Sequence, residues 1–218
     1  MSEIDLLKNY PKTKRDPKAR AQNRAPEDRE IARRFDKDFF DGDRRHGYGG
    51  FNYNEKYWSK VVLDFVEYYN LKTDCKILDV GCGKGFMLYD FYKFSKDFYL
   101  RGIDISDYAI ENSKPEVKNF LSVGNAKKLD FEDNSFDLVI SINTIHNLEG
   151  QDLENSLLEI ERVSKKNKFL IVDAYANDNE KEELNNWNLT AKTILHVDEW
   201  KSLFDKVGYT GDYYWFRP

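Results

Sequence analysis

A carboxylate set two residues ahead of three alternating glycines, Asp79 before Gly81, Gly83 and Gly85, can hold a small charged ligand against bare backbone. Glycine is required where a chain turns tightly and lets a ligand approach its main-chain N–H groups. The spacing is G-x-G-x-G, and Phe86 stands where a dinucleotide fingerprint has its third glycine. A carboxylate at Asp79 repels a pyrophosphate but suits a ligand carrying a positive amine. Asp104 follows Gly85 by 19 positions, the distance at which an acid accepts hydrogen bonds from ribose hydroxyls. Its plainer reading is a charge at the start of a helix. S-adenosylmethionine (SAM), with an ammonium, a sulfonium and a ribose, meets these demands together.

Further along, Ile105 offers an apolar face to an adenine ring, and Asn125-Ala126 either pairs with the adenine edge or marks an ordinary turn. Asn143-Thr144-Ile145-His146-Asn147 is dense in polar groups. His146 is either a general base, needed if the acceptor is a hydroxyl, or a structural histidine; Asn143 beside it would align donor and acceptor. Arg44, Arg45 and His46 form a basic cluster, either an anion grip on a substrate or solvated surface charge. Tyr48 and Tyr53 lie among Gly42, Gly47, Gly49 and Gly50, as a lid whose rings favour a sulfonium or as a packed loop. Trp187, Tyr213, Tyr214 and Trp215 read as core and rim, with Tyr214 the one assigned to the acceptor pocket. No histidine pair has metal-ligand spacing, so no metal is expected.

These residues need elements to place them. Apolar runs and helical spacing predict strands at 76–80, 99–104, 118–123, 136–142 and 168–174, with helices at 85–95, 106–112 and 151–163 between them. Such alternation implies a parallel sheet covered on both faces, whose ligands bind beyond the carboxyl ends of the strands. Trp58, Val61, Val62, Phe65 and Tyr69 share one helix face ahead of the first strand. A helix is expected from Glu27 to Phe40, a short helix or insertion between Asn177 and Asn188, a helix after Asp198 stopped by Gly208, and a terminal strand at 213–216. Two segments result: residues 1–54, an N-terminal arm and glycine–aromatic lid, and residues 55–218, the sheet domain. Residues 1–26, broken by Pro11, Pro17 and Pro26, are expected to attach loosely, and residues 35–54 to order over the ligand.

The net charge of −5 argues against general nucleic-acid affinity, which needs a basic footprint. Residues 1–50 are the exception, with 13 Lys and Arg against 10 Asp and Glu. No apolar run approaches the roughly 20 residues of a membrane span. Cys75 and Cys82 suggest neither a disulfide framework nor a zinc site, and a cytoplasmic location is expected.

Leu78-Asp79-Val80-Gly81-Cys82-Gly83-Lys84-Gly85 resembles the first motif of the class I SAM-dependent methyltransferases of the type-11 group. Gly102-Ile103-Asp104 resembles their second, Asn125-Ala126 falls where they carry Asp-Ala, and Asn143 to His146 falls in their fourth. The resemblance covers about residues 72–175 and implies an α/β, Rossmann-like doubly wound fold: a mostly parallel seven-stranded sheet, helices on both faces. It also implies methyl transfer from SAM. Two departures stand out: Asn125 replaces an aspartate, and only one strand follows Gly208. The expected activity is methylation of O or N on a small, anionic or sugar-like molecule, by a monomer or homo-oligomer. Methylation of RNA or protein, and a SAM-binding subunit without activity, are the other readings.

Overall fold

The computed structural model describes residues 1–12 and 14–218. Three short helices, α1 (Pro17–Gln22), α2 (Asp28–Ala32) and α3 (Lys37–Asp41), lead into the longer α4 (Glu55–Tyr68). The sheet domain then runs β1 (Lys76–Val80), α5 (Phe86–Phe94), β2 (Tyr99–Asp104), α6 (Asp107–Glu111), β3 (Leu121–Val123), β4 (Phe136–Ile142), α7 (Gly150–Val163) and β5 (Ser164–Tyr175). It closes with α8 (Asp178–Trp187), β6 (Leu195–His196), α9 (Val197–Val207) and β7 (Asp212–Phe216).

The strands form one seven-stranded sheet in the order β3-β2-β1-β4-β5, with β6 and β7 both pairing β5. Each of these pairings is parallel, β7 included (Leu170 opposite Tyr213, Val172 opposite Trp215). That fixes the final strands, which the sequence left unordered. From β1 the chain steps outward through β2 and β3, then returns to β1's other side as β4. A crevice opens where the order reverses, at the carboxyl ends of β1 and β4.

Both faces are covered. Leu153, Leu157 and Ile160 of α7 and Trp200 and Phe204 of α9 pack on one side; Val61, Val62 and Phe65 of α4 and Leu88 and Phe91 of α5 pack on the other. Caps set the helix limits. The Asn54 side chain accepts the Lys56 N–H at the start of α4, His196 and Glu199 form a capping box on α9, and Gly208 ends α9 in the left-handed region.

Two expectations change. The single helix from Glu27 to Phe40 is two helices, because Phe35 adopts a left-handed conformation (φ 52°) and Asp36 then caps α3. The first residues are not loosely attached. Ile4 N–H donates to Tyr213 O (2.9 Å), Tyr213 N–H donates to Ser2 O (3.0 Å), and Leu6 is buried in the core. Asn9 donates to both oxygens of Asp64, Tyr10 packs against Tyr57 and Trp58, and α1 packs along α8.

Candidate active site

The turn after β1 is held to β2 by its main chain: the N–H groups of Gly81 and Cys82 both donate to Ile103 O, at 2.8 and 3.0 Å. The three glycines are needed for different reasons. A Cβ on Gly81 would sit 2.0 Å from Thr144 Oγ1, and one on Gly85 2.8 Å from Leu121 Cδ1. A Cβ on Gly83 would meet only the Phe40 ring, at 3.4 Å, and would otherwise stand in the space a ligand needs. All three have positive φ.

Asp104 closes this side. Its Oδ2 accepts the Gly83 N–H (2.8 Å) and its Oδ1 the Ser106 N–H (2.9 Å), so each oxygen keeps capacity for a further donor. Burial pushes its carboxyl up from the ordinary range, and the main-chain donors pull it back. Asp79 lies beneath the turn, 6% exposed and without a side-chain hydrogen bond among the described residues. Burial first, and the Asp104 charge second, push its pKa up to about 7. Two neighbouring buried carboxylates call for a cation, and a ligand with an ammonium and a ribose fits both. Ile105, half exposed, and Asn125 with Ala126 complete this wall; the Asn125 oxygen takes the Lys127 N–H.

From here a cavity of about 1250 Å³ runs along the carboxyl ends of β4, β5 and β7 under residues 35–54. Asn143 reaches it in a left-handed conformation (φ 53°), its N–H bonded to Ile171 O at 2.9 Å. The side-chain oxygens of Asn143 and Asn147 are buried without partners among the described residues. His146 is buried, and its Nδ1 accepts the Asp173 N–H at 2.9 Å. In the neutral ring the proton therefore sits on Nε2, and the lone pair that a base would use is already engaged. Burial lowers the His146 pKa, and the Asp173 carboxylate, 3.4 Å from Nδ1, partly offsets this.

The glycine–aromatic loop crosses above. Lys84, inside the glycine turn, reaches up to Asp41 (2.6 Å) and Phe51 O (3.0 Å), and Tyr108 donates to the same Asp41 at 2.7 Å. The loop is thus fastened to the turn itself. Tyr48 lines the cavity, its hydroxyl accepting the Leu189 N–H at 2.6 Å, and Arg44 and Tyr214 line it too.

Three expected substrate contacts are not there. Arg45 lies at the surface beside Asp43 (3.6 Å), and His46 pairs with buried Asp28 (3.1 Å). Tyr53 turns to α5, donating to Asp90 at 2.8 Å and accepting from Lys93 at 2.6 Å. The basic triplet is therefore not one anion grip, because alternating directions along an irregular loop separate its members. The cavity wall instead recruits Arg15, Arg33, Phe39, Trp58 and Asp173. Asp173 was findable, since it lies at the end of the fifth predicted strand, and Trp58 was readable as a helix-face residue; Phe39 sits in α3, and Arg15 and Arg33 lie just outside α1 and α2 with no periodic cue.

Residues 71–208 match a family model described as "Methyltransferase domain". The chain is 37% identical over 123 residues to sterol 24-C-methyltransferase erg6 of Aspergillus fumigatus, covering 50% of this chain and 32% of that protein. It is 37% identical over 98 residues to phosphoethanolamine N-methyltransferase 1 of Arabidopsis thaliana, covering 42% of this chain and 20% of that one. The chain thus spans a third or less of the length of these two relatives. In fold it is similar to Haemonchus contortus phosphoethanolamine N-methyltransferase 2 in complex with S-adenosyl-L-methionine: TM-score 0.57, 18% identity, 81% of this chain and 44% of that one. It is also similar to the YcgJ protein of Bacillus subtilis, with TM-score 0.55, 18% identity, and 66% and 65% of the two chains covered.

Proposed function

The chain belongs to this methyltransferase family as a class I SAM-dependent enzyme, and from that premise we propose that it methylates a small anionic molecule inside the lidded cavity. The observation that carries the reading is the cavity's two-sided wall. One side holds the glycine turn, Asp104 and Ile105; the other holds Asn143, Asp173, Tyr214 and the cations Arg15 and Arg44. A space closed over by residues 35–54 suits a dissolved metabolite better than a polymer, and no described helix is long and apolar enough to cross a membrane. Names among the relatives cover carbon and nitrogen acceptors, so the family alone does not choose the atom. A wall of carboxamide and carboxylate groups favours a heteroatom.

When bound, SAM supplies an activated methyl carbon: the acceptor's lone pair bonds to it as the C–S pair stays on sulfur. The chain's task is alignment and exclusion of water. Asp104 would hold the ribose hydroxyls, Asp79 would offset the ammonium, and Ile105 and Asn125 would frame the adenine. Asn143, set where the two sides meet, would fix the direction of approach. The loop latched by Lys84 would close the space as a lid.

Isothermal titration with SAM and S-adenosylhomocysteine, followed by methyl-labelled SAM in a metabolite extract, tests this. Label is expected in the anion-exchange-retained small-molecule fraction. Label appearing instead in added RNA or protein, with none in that fraction, would sink the small-molecule reading.

A further inference from the structure

Asp173 is 4% exposed and lines the cavity; its carboxylate receives no hydrogen bond among the described residues, and its Oδ1 stands 3.4 Å from His146 Nδ1. Its backbone is fully occupied: the N–H donates to His146 Nδ1 and the carbonyl accepts from Trp200 Nε1 at 3.0 Å. The side chain is therefore not held in place to satisfy the fold. A buried carboxylate without a donor is costly and asks for a partner. Asn143 and Asn147 line the same cavity, and their side-chain oxygens are buried without partners among the described residues. They belong with Asp173: Asn143 is hydrogen-bonded to β5 at Ile171, and His146, between the two asparagines in sequence, to Asp173. A carboxylate and two amide oxygens suit an ammonium, which offers three N–H donors where a hydroxyl offers one.

A second imbalance, of opposite sign, lies under the lid. Arg15 sits over the Trp187 and Phe216 rings (5.4 and 4.9 Å), and Arg44 donates to Gly47 O. Neither faces a carboxylate within ion-pair distance among the described residues, and each lines the cavity, Arg15 half-buried and Arg44 exposed. Tyr48 connects the two regions. Its hydroxyl lies close enough to feel the Asp173 charge, while its ring is covered by Arg20 at 5.1 Å, beside Arg44.

We propose that the acceptor is a zwitterion: its amine is held and methylated at Asp173, Asn143 and Asn147, and its carboxylate or phosphate is held by Arg15 and Arg44. This rests on the reading of the β4–β5 side as the acceptor side. The ammonium must lose one proton before it can react. That proton passes to an Asp173 oxygen, the lone pair it frees forms the N–C bond, and the secondary ammonium product carries the charge away. His146 cannot take this part while its Nδ1 holds the Asp173 N–H, so it acts as a positioning residue.

The test uses the full chain saturated with S-adenosylhomocysteine, which fills the donor side. Binding of 4-aminobutyrate and 3-aminopropylphosphonate is compared with that of butyrate and propylphosphonate by NMR titration. The amino probes are expected to bind at least tenfold tighter than their amine-free parents. Asp173→Asn should abolish that advantage while leaving S-adenosylhomocysteine affinity unchanged, and Arg15→Met should weaken all four probes. The tighter of the two amino probes tells whether the anion is carboxylate or phosphate. Should Asp173→Asn fail to fold, Asn147→Leu reads the same advantage. Amino probes that gain nothing over their parents, or an advantage that survives both substitutions, overturn the proposal. Loss of S-adenosylhomocysteine binding by the wild-type chain would instead overturn the broader reading.

Discussion

The two sides of the cavity, proposed above for the methyl donor and the acceptor, are built by opposite means. On the first side, Gly81, Gly83, Asp104, Ile105, Gly124, Asn125 and Ala126 lie within a few positions of a strand end, and at the glycines the wall is main chain. On the acceptor side, Arg15, Phe39, Arg44, Tyr48, Asn143, Asp173, Trp187 and Tyr214 come from the arm, the lid, two strand ends, α8 and β7. Recognition by backbone needs glycines and turns in fixed order, so it is written locally. Recognition by side chains needs only that they converge, from any distance along the chain.

The sharpest way to break this contrast is Gly81→Val. Its Cβ would stand 2.0 Å from Thr144 Oγ1 at a φ of 88°, so SAM binding should disappear from isothermal titration. Retained binding would mean that the donor side does not depend on its backbone. Asp104→Ala comes next: losing a charged acceptor costs roughly 1.5–3 kcal/mol, about a ten- to hundredfold weaker SAM complex. An unchanged dissociation constant would remove Asp104 from the ribose.

Asp79 gives a pH signature confined to the donor side. Burial and the Asp104 charge push its carboxyl up to about 7 when folded, against an ordinary value of 3.8. Between those values the unfolded chain has lost the proton and the folded one has kept it. The ligand-free protein therefore loses stability as pH rises through this window. SAM affinity should rise over the upper part of it, as the carboxylate forms. Asp79→Asn should flatten both trends in thermal-shift and titration series, and persistence of either would assign it elsewhere.

Lys84→Met probes a residue that ties the glycine turn to the loop above it. Freed from Lys84, Asp41 keeps only the Tyr108 hydroxyl, so the lid should exchange amide hydrogens faster around Tyr48 and turnover should fall several-fold. SAM affinity should change less than in Asp104→Ala. Equal losses in both would show that the lid serves the donor. The smallest effect is expected from His146→Gln, a few-fold lower rate with an unaltered pH profile. Disappearance of a limb below pH 6.5 would restore the histidine as a base.

The same division decides what the sequence could disclose. Asp79, the glycine turn and Asp104 were readable because their types, order and spacing are dictated by one local geometry. The last strand was readable as an element but not as a neighbour of β5, since nothing local to residues 212–216 records where the strand docks. Arg44, Arg45 and His46 looked like one cluster because they are adjacent, yet an irregular loop sends adjacent side chains to different places. Asp28, which engages His46, lies 18 residues away, and no periodicity links them.

Ser2 to Ile4, paired to Tyr213, also decide how the molecule meets copies of itself. A sheet grows by adding strands at an edge whose N–H and C=O groups are unpaired. Here β3, at one edge, offers three residues, and beside β7 the chain's own first residues take the N–H and C=O of Tyr213. Edge-to-edge pairing is thereby hindered at the start of β7 and has little to grip at β3. Clipping the first ten residues would bare an aromatic strand, Tyr213-Tyr214-Trp215-Phe216, to any neighbour able to pair with it.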